Sequence, residues 1–546
     1  MARGSLSVPG VPNVVEEICH GRLPWDLVHP FPAQAGADRA AGDAAVAGVR
    51  AALAGLPDEP DGETVAEALR AGGWLHLLAP AEVGGRELSP YNAFRVITEA
   101  SGEALPAGFM LAIHNGIGAA AYLPVLPDGP IRELVMKRLA AGAVTGMADT
   151  EPAGAANRRR FTTATADADG YVLDGDKLYI GNGPIAELLA VTATEDGRPR
   201  VFFVDTASPG FEVRARLEFM GLRGFPNGAL ALRGVRVPRE LVLAEQGGQW
   251  LSAERAAVLS RGRVHIIAAP ALALARRALE HTGEYVRRRS VDGRALGTYD
   301  EIQRAVAESA ADLYALDATA RWTMLGDQGP DPVNLMPEQF AAKDITSLLC
   351  WRIVERAMTV MAGEGYETAR GKAARGAPPA PLERLYRDAR GLRIAGGTEV
   401  LLQGRLADRI ALACLEPDEI DARAHVPDVP ELTARNREHL ARLAGQIGTF
   451  SQHCADVLRN HPDPAERAGL GRPLTLLGAI LEELVTVTLT LARAAGDAPD
   501  AQDLADVYCT GAWRSLDAHW SGLVDALAGA GPDHARISAA WLGPVT

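Results

Sequence analysis

The chain has 546 residues, 47% hydrophobic and 23% charged, and a formal net charge of −14 at pH 7. These values are typical of a globular protein of two to four domains, and the negative charge disfavours binding to nucleic acid. The five cysteines are odd in number and lack metal-ligand spacing, so they predict neither a disulfide framework nor a metal site. The sequence shows no secretory signal and no uninterrupted apolar run of about eighteen residues. We therefore expect a cytoplasmic protein without an integral membrane span.

The N-terminal part is predicted to be an irregular arm followed by helices. Residues 1–35 are rich in proline and lack a hydrophobic period, which indicates an arm that could wrap a partner subunit. Helical spacing of apolar residues in Asp38–Leu56, Tyr91–Leu105 and Ile131–Ala141 predicts an N-terminal helical domain at 36–142.

The hydrophobic period changes to two near residue 143. The segments Tyr171–Leu173 and Leu178–Ile180 flank an Asp-Gly-Asp turn at 174–176, and this pattern predicts a β-hairpin. Similar short segments, separated by glycine and proline, continue to Val237. We expect a small β-barrel or sandwich at 143–246.

Helical periodicity returns after this β segment. The long segments Trp250–Arg289, Tyr299–Leu325 and Pro337–Ala362 suit a four-helix bundle, which we place at 247–415. Amphipathic patterns at 430–546 predict a further helical module that packs on the bundle or on a partner subunit. The predicted fold class is therefore multidomain α+β: a helical domain, a small β-barrel, a four-helix bundle and a C-terminal helical extension.

A diglycine corner lies near the end of the predicted bundle, in the stretch YRDARGLRIAGGTEVLLQ at 386–403. An amphipathic helix should end at Gly396 and Gly397, and Thr398 can cap the next helix, with Glu399 in its first turn. A helix start with free N–H donors suits an anion such as a cofactor phosphate. An ordinary corner between two helices has the same pattern, so both interpretations are open.

Motifs over about residues 70–413 resemble those of acyl-CoA dehydrogenases, in the same order and at similar spacing. Thr150-Glu151-Pro152 with Gly154 resembles the T-E-P-x-x-G segment that holds the flavin ring in that family. The stretch GDKLYIGNG at 175–183 resembles G-x-K-x-W-I-T-N-G, and AMTVMAGEGY at 357–366 resembles A-x-Q-x-x-G-G-x-G-[FY]. Residues 387–398 are similar to the family's RDAR..RIYEGT corner.

This resemblance implies an FAD cofactor and an acyl thioester substrate carried by CoA or an acyl carrier protein. It also implies an electron acceptor or a flavin reductase as partner. Because the family's FAD usually lies across a dimer interface, it implies a homodimer or homotetramer.

The resemblance assigns cofactor-binding positions, several of which differ from the common family residue. Gly181 stands where a threonine is common, Thr359 where a glutamine is common, and Asp292 where an aromatic is common. Tyr179 could contact the flat flavin ring, although a cross-strand core aromatic would give the same pattern. The expected cofactor-binding residues are Met147, Asp149, Thr150, Tyr179, Gly181, Arg289, Thr359, Gly363, Gly397 and Thr398.

The family's catalytic glutamate is missing from both places where members carry it. That carboxylate is held against the substrate α-hydrogen while the flavin accepts hydride from the β-carbon. Gly396 occupies the usual position, and the alternative position on the first long bundle helix falls within Ser260–Arg263, which has no carboxylate. His265 and Glu399 are the candidate substitutes. A buried core histidine and an exposed first-turn acid are their alternative interpretations.

Three functions are open at this point. The first is an FAD-dependent oxidoreductase that acts on an acyl thioester with a non-standard or absent α-proton base. The second is a flavin-dependent monooxygenase on the same fold, which needs no such base. The third is a catalytically inactive flavoprotein or assembly subunit.

Overall fold

A computed structural model describes residues 8, 10–154, 156, 157, 160–243, 253–329, 332–415, 420, 425–467 and 469–543. The predicted α+β order is confirmed: helices come first, then a β domain, a helical bundle and a helical extension. The predicted boundary between the β domain and the bundle, at 246 and 247, lies outside the described residues.

Helices that precede the sheet enclose an apolar core. The sequence patterns missed the helix at 105–116, because it is buried on every side and therefore lacks a polar face to give it a period. The helices are α1 (Val14–Cys19), α2 (Trp25–Val28), α3 (Gly36–Leu53), α4 (Gly62–Ala71), α5 (Pro90–Glu103), α6 (Leu105–Gly116) and α7 (Pro130–Ala140).

The expected irregular arm differs from the structure, because α1 and α2 fold back onto the chain's own core. Val14, Val15 and Ile18 are fully buried. The Val15 N–H donates to the Glu338 carboxylate at 2.9 Å, and burial raises the pKa of that carboxyl to about 7. Contacts with residues more than 300 positions away order this segment, and no local pattern reports such contacts.

The described strands β1–β7 form one sheet in the order β1-β4-β2-β3-β7-β6, and β5 pairs with β4. In the long antiparallel pair β3 and β7, the register shifts between Lys177 and Ile180. Tyr179 lies inside this bulge with φ +60°. The strands are β1 (Thr145–Ala148), β2 (Thr163–Ala166), β3 (Gly170–Gly181), β4 (Leu188–Glu195), β5 (Arg198–Asp205), β6 (Phe211–Arg216) and β7 (Asn227–Pro238).

The bundle is built around α8, which packs on α5, α6, α9 and α10. A backbone break at Ala362, with φ +49°, interrupts α10 near its C-terminal end. Its elements are α8 (Ala253–Arg288), the hairpin β8 (Ser290–Val291) and β9 (Arg294–Ala295), α9 (Asp300–Leu325), α10 (Met336–Tyr366), α11 (Ala369–Ala374), α12 (Leu382–Leu392), α13 (Glu399–Leu406) and α14 (Leu412–Cys414).

In the C-terminal extension the central helix is α17, which packs on α13 and α9 of the bundle and on its own neighbours. The extension comprises α15 (Ala434–Asn460), α16 (Pro464–Arg467), α17 (Gly471–Gly496), α18 (Pro499–Leu527) and α19 (His534–Leu542). By length and composition, three described segments could cross a membrane: Leu105–Val125, Glu254–Arg288 and Gly471–Gly496. Between 72% and 83% of each apolar window is buried inside the fold, so core packing accounts for this apolarity.

Candidate active site

Strands β1 and β3 form one wall of the candidate site. The Leu178 N–H donates to the Thr150 carbonyl at 2.9 Å, which joins the T-E-P segment to the hairpin. The bulge leaves the Tyr179 side chain 58% exposed, with the Phe219 ring centroid 6.3 Å away. Tyr179 is therefore not the buried core aromatic that one interpretation allowed. Met147 lies half-buried on β1 beside this segment.

Gly181 is enforced by close packing where the family commonly has a threonine. A Cβ at Gly181 would overlap Ile113 of α6 and would lie 2.9 Å from the Phe225 ring. No larger side chain fits without moving these neighbours. Loss of the threonine hydroxyl thus accompanies a tighter contact between the sheet and α6.

Two carboxylates behind the wall are engaged inside the protein. Arg160 donates twice to Asp149, at 2.8 and 2.7 Å, and lowers the pKa of that carboxyl against the opposing effect of burial. Glu151 pairs with buried Lys177 at 2.8 Å. Although burial opposes it, hydrogen bonds from Lys177 and from Thr162 lower the pKa of Glu151 to about 2. The pairing of Glu151 with Lys177, which stabilises the wall, could not be predicted from the sequence, although both residues lie inside the family's motifs.

At the diglycine corner, two cationic side chains hold the backbone. Gly396 and Gly397 have φ of +74° and +114°, a conformation that glycine adopts without strain. Arg263 of α8 donates to the Gly396 carbonyl at 2.8 Å. Lys343 of α10, which is fully buried, donates to the Gly397 carbonyl at 2.6 Å. The corner is therefore fixed from two helices that are distant in sequence.

The acidic groups below the corner are committed to other partners. Asp344 accepts from Arg393 at 2.9 Å, and Gln403 lies between Asp344 and Glu482. Burial raises the pKa of Asp344 and raises that of Glu482 well above its ordinary value, so this acid pair holds less negative charge than two free carboxylates.

Thr398 and Glu399 differ in part from their predicted roles. Thr398 occupies the N-cap position of α13, but its hydroxyl makes no capping hydrogen bond. The expectation of a side-chain cap was wrong because the backbone corner already positions the helix start. Glu399 forms an ion pair with Arg393. This ion pair directs the Glu399 carboxylate to the buried Arg393, which counts against Glu399 as an α-proton base.

His265 lies in the core between α8 and the start of α5. It is 1% exposed, and its Nε2 lies 3.1 Å from the Pro90 carbonyl. Burial lowers the pKa of His265 to about 4, so the ring is neutral at physiological pH. The structure does not bring His265 to the corner, and these contacts favour the core-histidine interpretation.

Steric packing excludes a carboxylate from Gly262, which lies within Ser260–Arg263, the segment of α8 that contains the alternative base position. A Cβ on Gly262 would overlap the carbonyl oxygen of Gly116, because α6 and α8 cross at these two glycines. A glutamate could stand at Gly262 only if the two helices moved apart. Neither Gly396 nor the segment Ser260–Arg263 therefore supplies a carboxylate. A carboxylate side chain would have room at Gly396 but not at Gly262.

The remaining predicted cofactor residues lie at the other end of the bundle. Arg289 follows α8 and precedes a tight turn at Asp292 and Gly293. An ion pair between Arg288 and Glu364 joins this end of α8 to the region of Gly363.

Thr359 lies one turn before Gly363 on α10, and its hydroxyl donates back to the Glu355 carbonyl at 3.1 Å. Sixteen residues of helix separate Thr359 from Lys343, a rise of about 24 Å. The predicted cofactor residues thus form two separate sets in one chain. One set lies at the sheet and the diglycine corner, and the other lies at the C-terminal ends of α8 and α10.

Direct contacts hold the β domain against the corner. The Leu222 N–H donates to Asp388 of α12 at 2.7 Å, and burial raises the pKa of Asp388 to about 6. Arg405 of α13 donates to the Ala156 carbonyl, in the loop after the wall, at 3.4 Å. Wall and corner therefore border the same junction between sheet and bundle.

The chain matches known proteins over most of its length. Residues 251–411 match the family described as acyl-CoA dehydrogenase, C-terminal domain, and residues 146–235 match acyl-CoA dehydrogenase, middle domain. A probable acyl-CoA dehydrogenase of Mycobacterium tuberculosis (FadE10) is 31% identical over 464 residues, which cover 81% of this chain and 68% of the relative. The 3-sulfinopropanoyl-CoA desulfinase of Advenella mimigardefordensis is 27% identical over 354 residues, covering 63% of this chain and 84% of that relative.

Solved structures confirm the fold. An acyl-CoA dehydrogenase from Bacillus anthracis, crystallised with FAD, superimposes with a TM-score of 0.76 at 18% identity, covering 97% of this chain and 95% of the other. A probable acyl-CoA dehydrogenase from Mycobacterium abscessus gives a TM-score of 0.57 at 25% identity and covers 69% of this chain and 99% of its own. Together with the matched domains, the 31% identical relative shows that this chain belongs to the acyl-CoA dehydrogenase family.

Proposed function

We propose that this protein is an FAD-dependent oxidoreductase that acts on an acyl thioester of CoA without a protein carboxylate at the substrate α-carbon. The observation that carries the proposal is the junction of wall and corner, where the family's motif residues lie together while Gly396 occupies the usual base position and Ser260–Arg263 holds no carboxylate. The dehydrogenases and the desulfinase among the relatives are named for acyl-CoA compounds, which supports CoA as the carrier.

The residues around the junction fit a flavin. Exposed Tyr179 beside Phe219 offers an aromatic surface, and the Thr150 backbone is fixed next to it. At the far end, nothing lies within 4 Å of a Cβ built on Gly363, so a ligand can approach the backbone there. When bound, FAD supplies the hydride acceptor.

We also propose that the cofactor site is completed by a second copy of the chain. Thr359 and Gly363 lie about 24 Å or more along α10 from the corner, which supports a cofactor that draws its two sets of residues from two chains. Sedimentation analysis checks this proposal, since it requires a homodimer or a homotetramer. A holo-protein that stays monomeric would contradict it.

A cytoplasmic location is a further part of the proposal. The five cysteines are free, four of them buried, and free thiols agree with a reducing compartment. Fractionation of source cells, with detection by antibody, would test this location.

The function is tested by spectroscopy on the purified protein. We expect a yellow protein whose flavin absorbance is bleached anaerobically by an acyl-CoA. If the flavin is bleached only after NAD(P)H and a flavin reductase are added, and oxygen is then consumed, the protein is a monooxygenase instead. A colourless protein that binds no added FAD would show that the flavin function has been lost.

A further inference from the structure

The position that Gly396 leaves empty is open space bordered by two cations. A Cβ built on Gly396 would meet nothing closer than 4.0 Å, and the two atoms at that distance belong to the Arg263 guanidinium and the Lys343 side chain. Gly396 itself is exposed. In the part of the chain that the structure describes, no other side chain fills the place of the missing carboxylate, and a ligand can reach the space.

Arg263 forms no ion pair with any described residue, and Lys343 forms only a long one, with Asp344. Among the described residues, no carboxylate lies within ion-pair distance of Arg263, whose guanidinium lies 5.2 Å from the Phe340 ring centroid. The nearest carboxylate to Lys343 is Asp344 at 3.9 Å, and Asp344 makes its closer contact with Arg393. Burial lowers the pKa of Arg263 to about 10 and that of Lys343 to about 8, as expected for cations short of counter-charge.

We propose that this emptied base position binds a carboxylate of the substrate, so that the preferred acyl thioester carries an anionic group on C2 or C3 of its acyl chain. The inference rests on the proposed function, because the family's base at this place faces the substrate α-carbon.

Paired ligands that differ only by a carboxylate in place of a methyl group provide the test. Calorimetric titration of the holo-protein should show methylmalonyl-CoA binding at least tenfold more tightly than isobutyryl-CoA, or succinyl-CoA more tightly than butyryl-CoA. Tenfold corresponds to about 1.4 kcal/mol. Equal affinities within both pairs would overturn the inference.

Substitutions at Arg263 and Gly396 test whether the carboxylate preference arises at this position. Arg263→Gln should reduce the preference below threefold, while Arg263→Lys should keep most of it because the charge remains. Gly396→Glu should abolish the preference by supplying the anion internally, and Gly396→Gln, which has the same size and backbone strain, should retain part of it. A preference that survives both Arg263→Gln and Gly396→Glu would show that the anion binds elsewhere.

The readout separates this inference from the proposed function. Calorimetry measures the carboxylate preference even if no acyl-CoA bleaches the flavin. That result would contradict the proposed oxidoreductase function but would still support the anion site. Flavin bleaching by these acyl-CoAs, together with equal affinities within both ligand pairs, would leave the oxidoreductase in place and remove the anion site.

Discussion

Gly396 occupies the usual position of the acyl-CoA dehydrogenase base, Gly262 lies within the segment Ser260–Arg263 that contains the alternative position, and the surroundings of the two glycines are opposite. Gly396 lies on an exposed corner where an added Cβ has 4.0 Å of clearance, whereas Gly262 lies in a buried helix crossing where an added Cβ would overlap Gly116. A larger side chain would therefore have room at position 396, whereas the helix crossing requires glycine at position 262. On α8, packing excludes a glutamate at position 262. At the corner, the absence of the glutamate leaves open space bordered by Arg263 and Lys343.

The largest expected effect is on stability at the closed crossing. Gly262→Glu should destabilise the fold by more than about 4 kcal/mol, because it combines steric overlap with a buried, unpaired carboxylate. Gly396→Glu should cost only about 1 kcal/mol, which is the cost of a left-handed backbone for a residue with a Cβ. Thermal unfolding of the two variants side by side measures the difference, and similar losses of Tm in both would contradict the contrast.

A second effect concerns pH and the buried face of α8. The pKa of His265 is about 4 in the folded protein against 6.5 when exposed, so the unfolded chain binds the proton more tightly. The stability contribution is fully present above pH 6.5 and is lost as pH falls toward 4. The loss amounts to about 3 kcal/mol for this residue. Burial also lowers the pKa values of His76 and His114, which act in the same direction.

Urea unfolding of the wild type and of His265→Gln between pH 4.5 and 7.5 should show this loss as the difference between the two proteins. The raised pKa values of Glu338 and Asp388 change stability in the opposite direction, and they do so in both proteins. The same variant should keep the pH profile of flavin bleaching. If His265→Gln instead removes a titration from that profile, His265 acts as a base and the core interpretation fails.

A third effect is a gain of activity at the open corner. Gly396→Glu restores a carboxylate at the family position, so anaerobic bleaching by butyryl-CoA should accelerate at least tenfold, which is less than the roughly hundredfold or more that a well-placed general base contributes. Gly396→Gln is the matched control and should give no acceleration. If both variants react as slowly as the wild type, the corner does not face the substrate α-carbon.

The smallest expected effect concerns the cap of α13. Thr398→Ala should change stability by less than about 0.5 kcal/mol, because its hydroxyl makes no capping hydrogen bond. Thr433→Ala is the comparison: the Thr433 hydroxyl accepts from the Asn436 N–H at 3.3 Å, and its loss should cost about 1 kcal/mol. Equal losses in the two alanine variants would mean that the Thr398 hydroxyl does cap the helix.

Much of the fold could be predicted from local patterns. The change of period near residue 143 marks the start of the sheet at Thr145, and the long bundle helices appear within a few residues of their observed ends. Helix α6 was missed because complete burial removes the period, and the arm was predicted to be irregular because α1 and α2 are ordered by distant contacts. Thr398 was assigned a cap from its type, but the backbone corner had already positioned the helix start.

The sequence by itself determined that the chain resembles acyl-CoA dehydrogenases and that Gly396 stands where their glutamate is common, because motif residues are read along the chain. Only the tertiary structure decided what surrounds that vacancy. Arg263 and Lys343 lie 133 and 54 residues before the glycines that they hold, and Gly116 lies 146 residues before Gly262. Charge and clearance at a site are set by groups that meet only after helices pack, so no local spacing can report them.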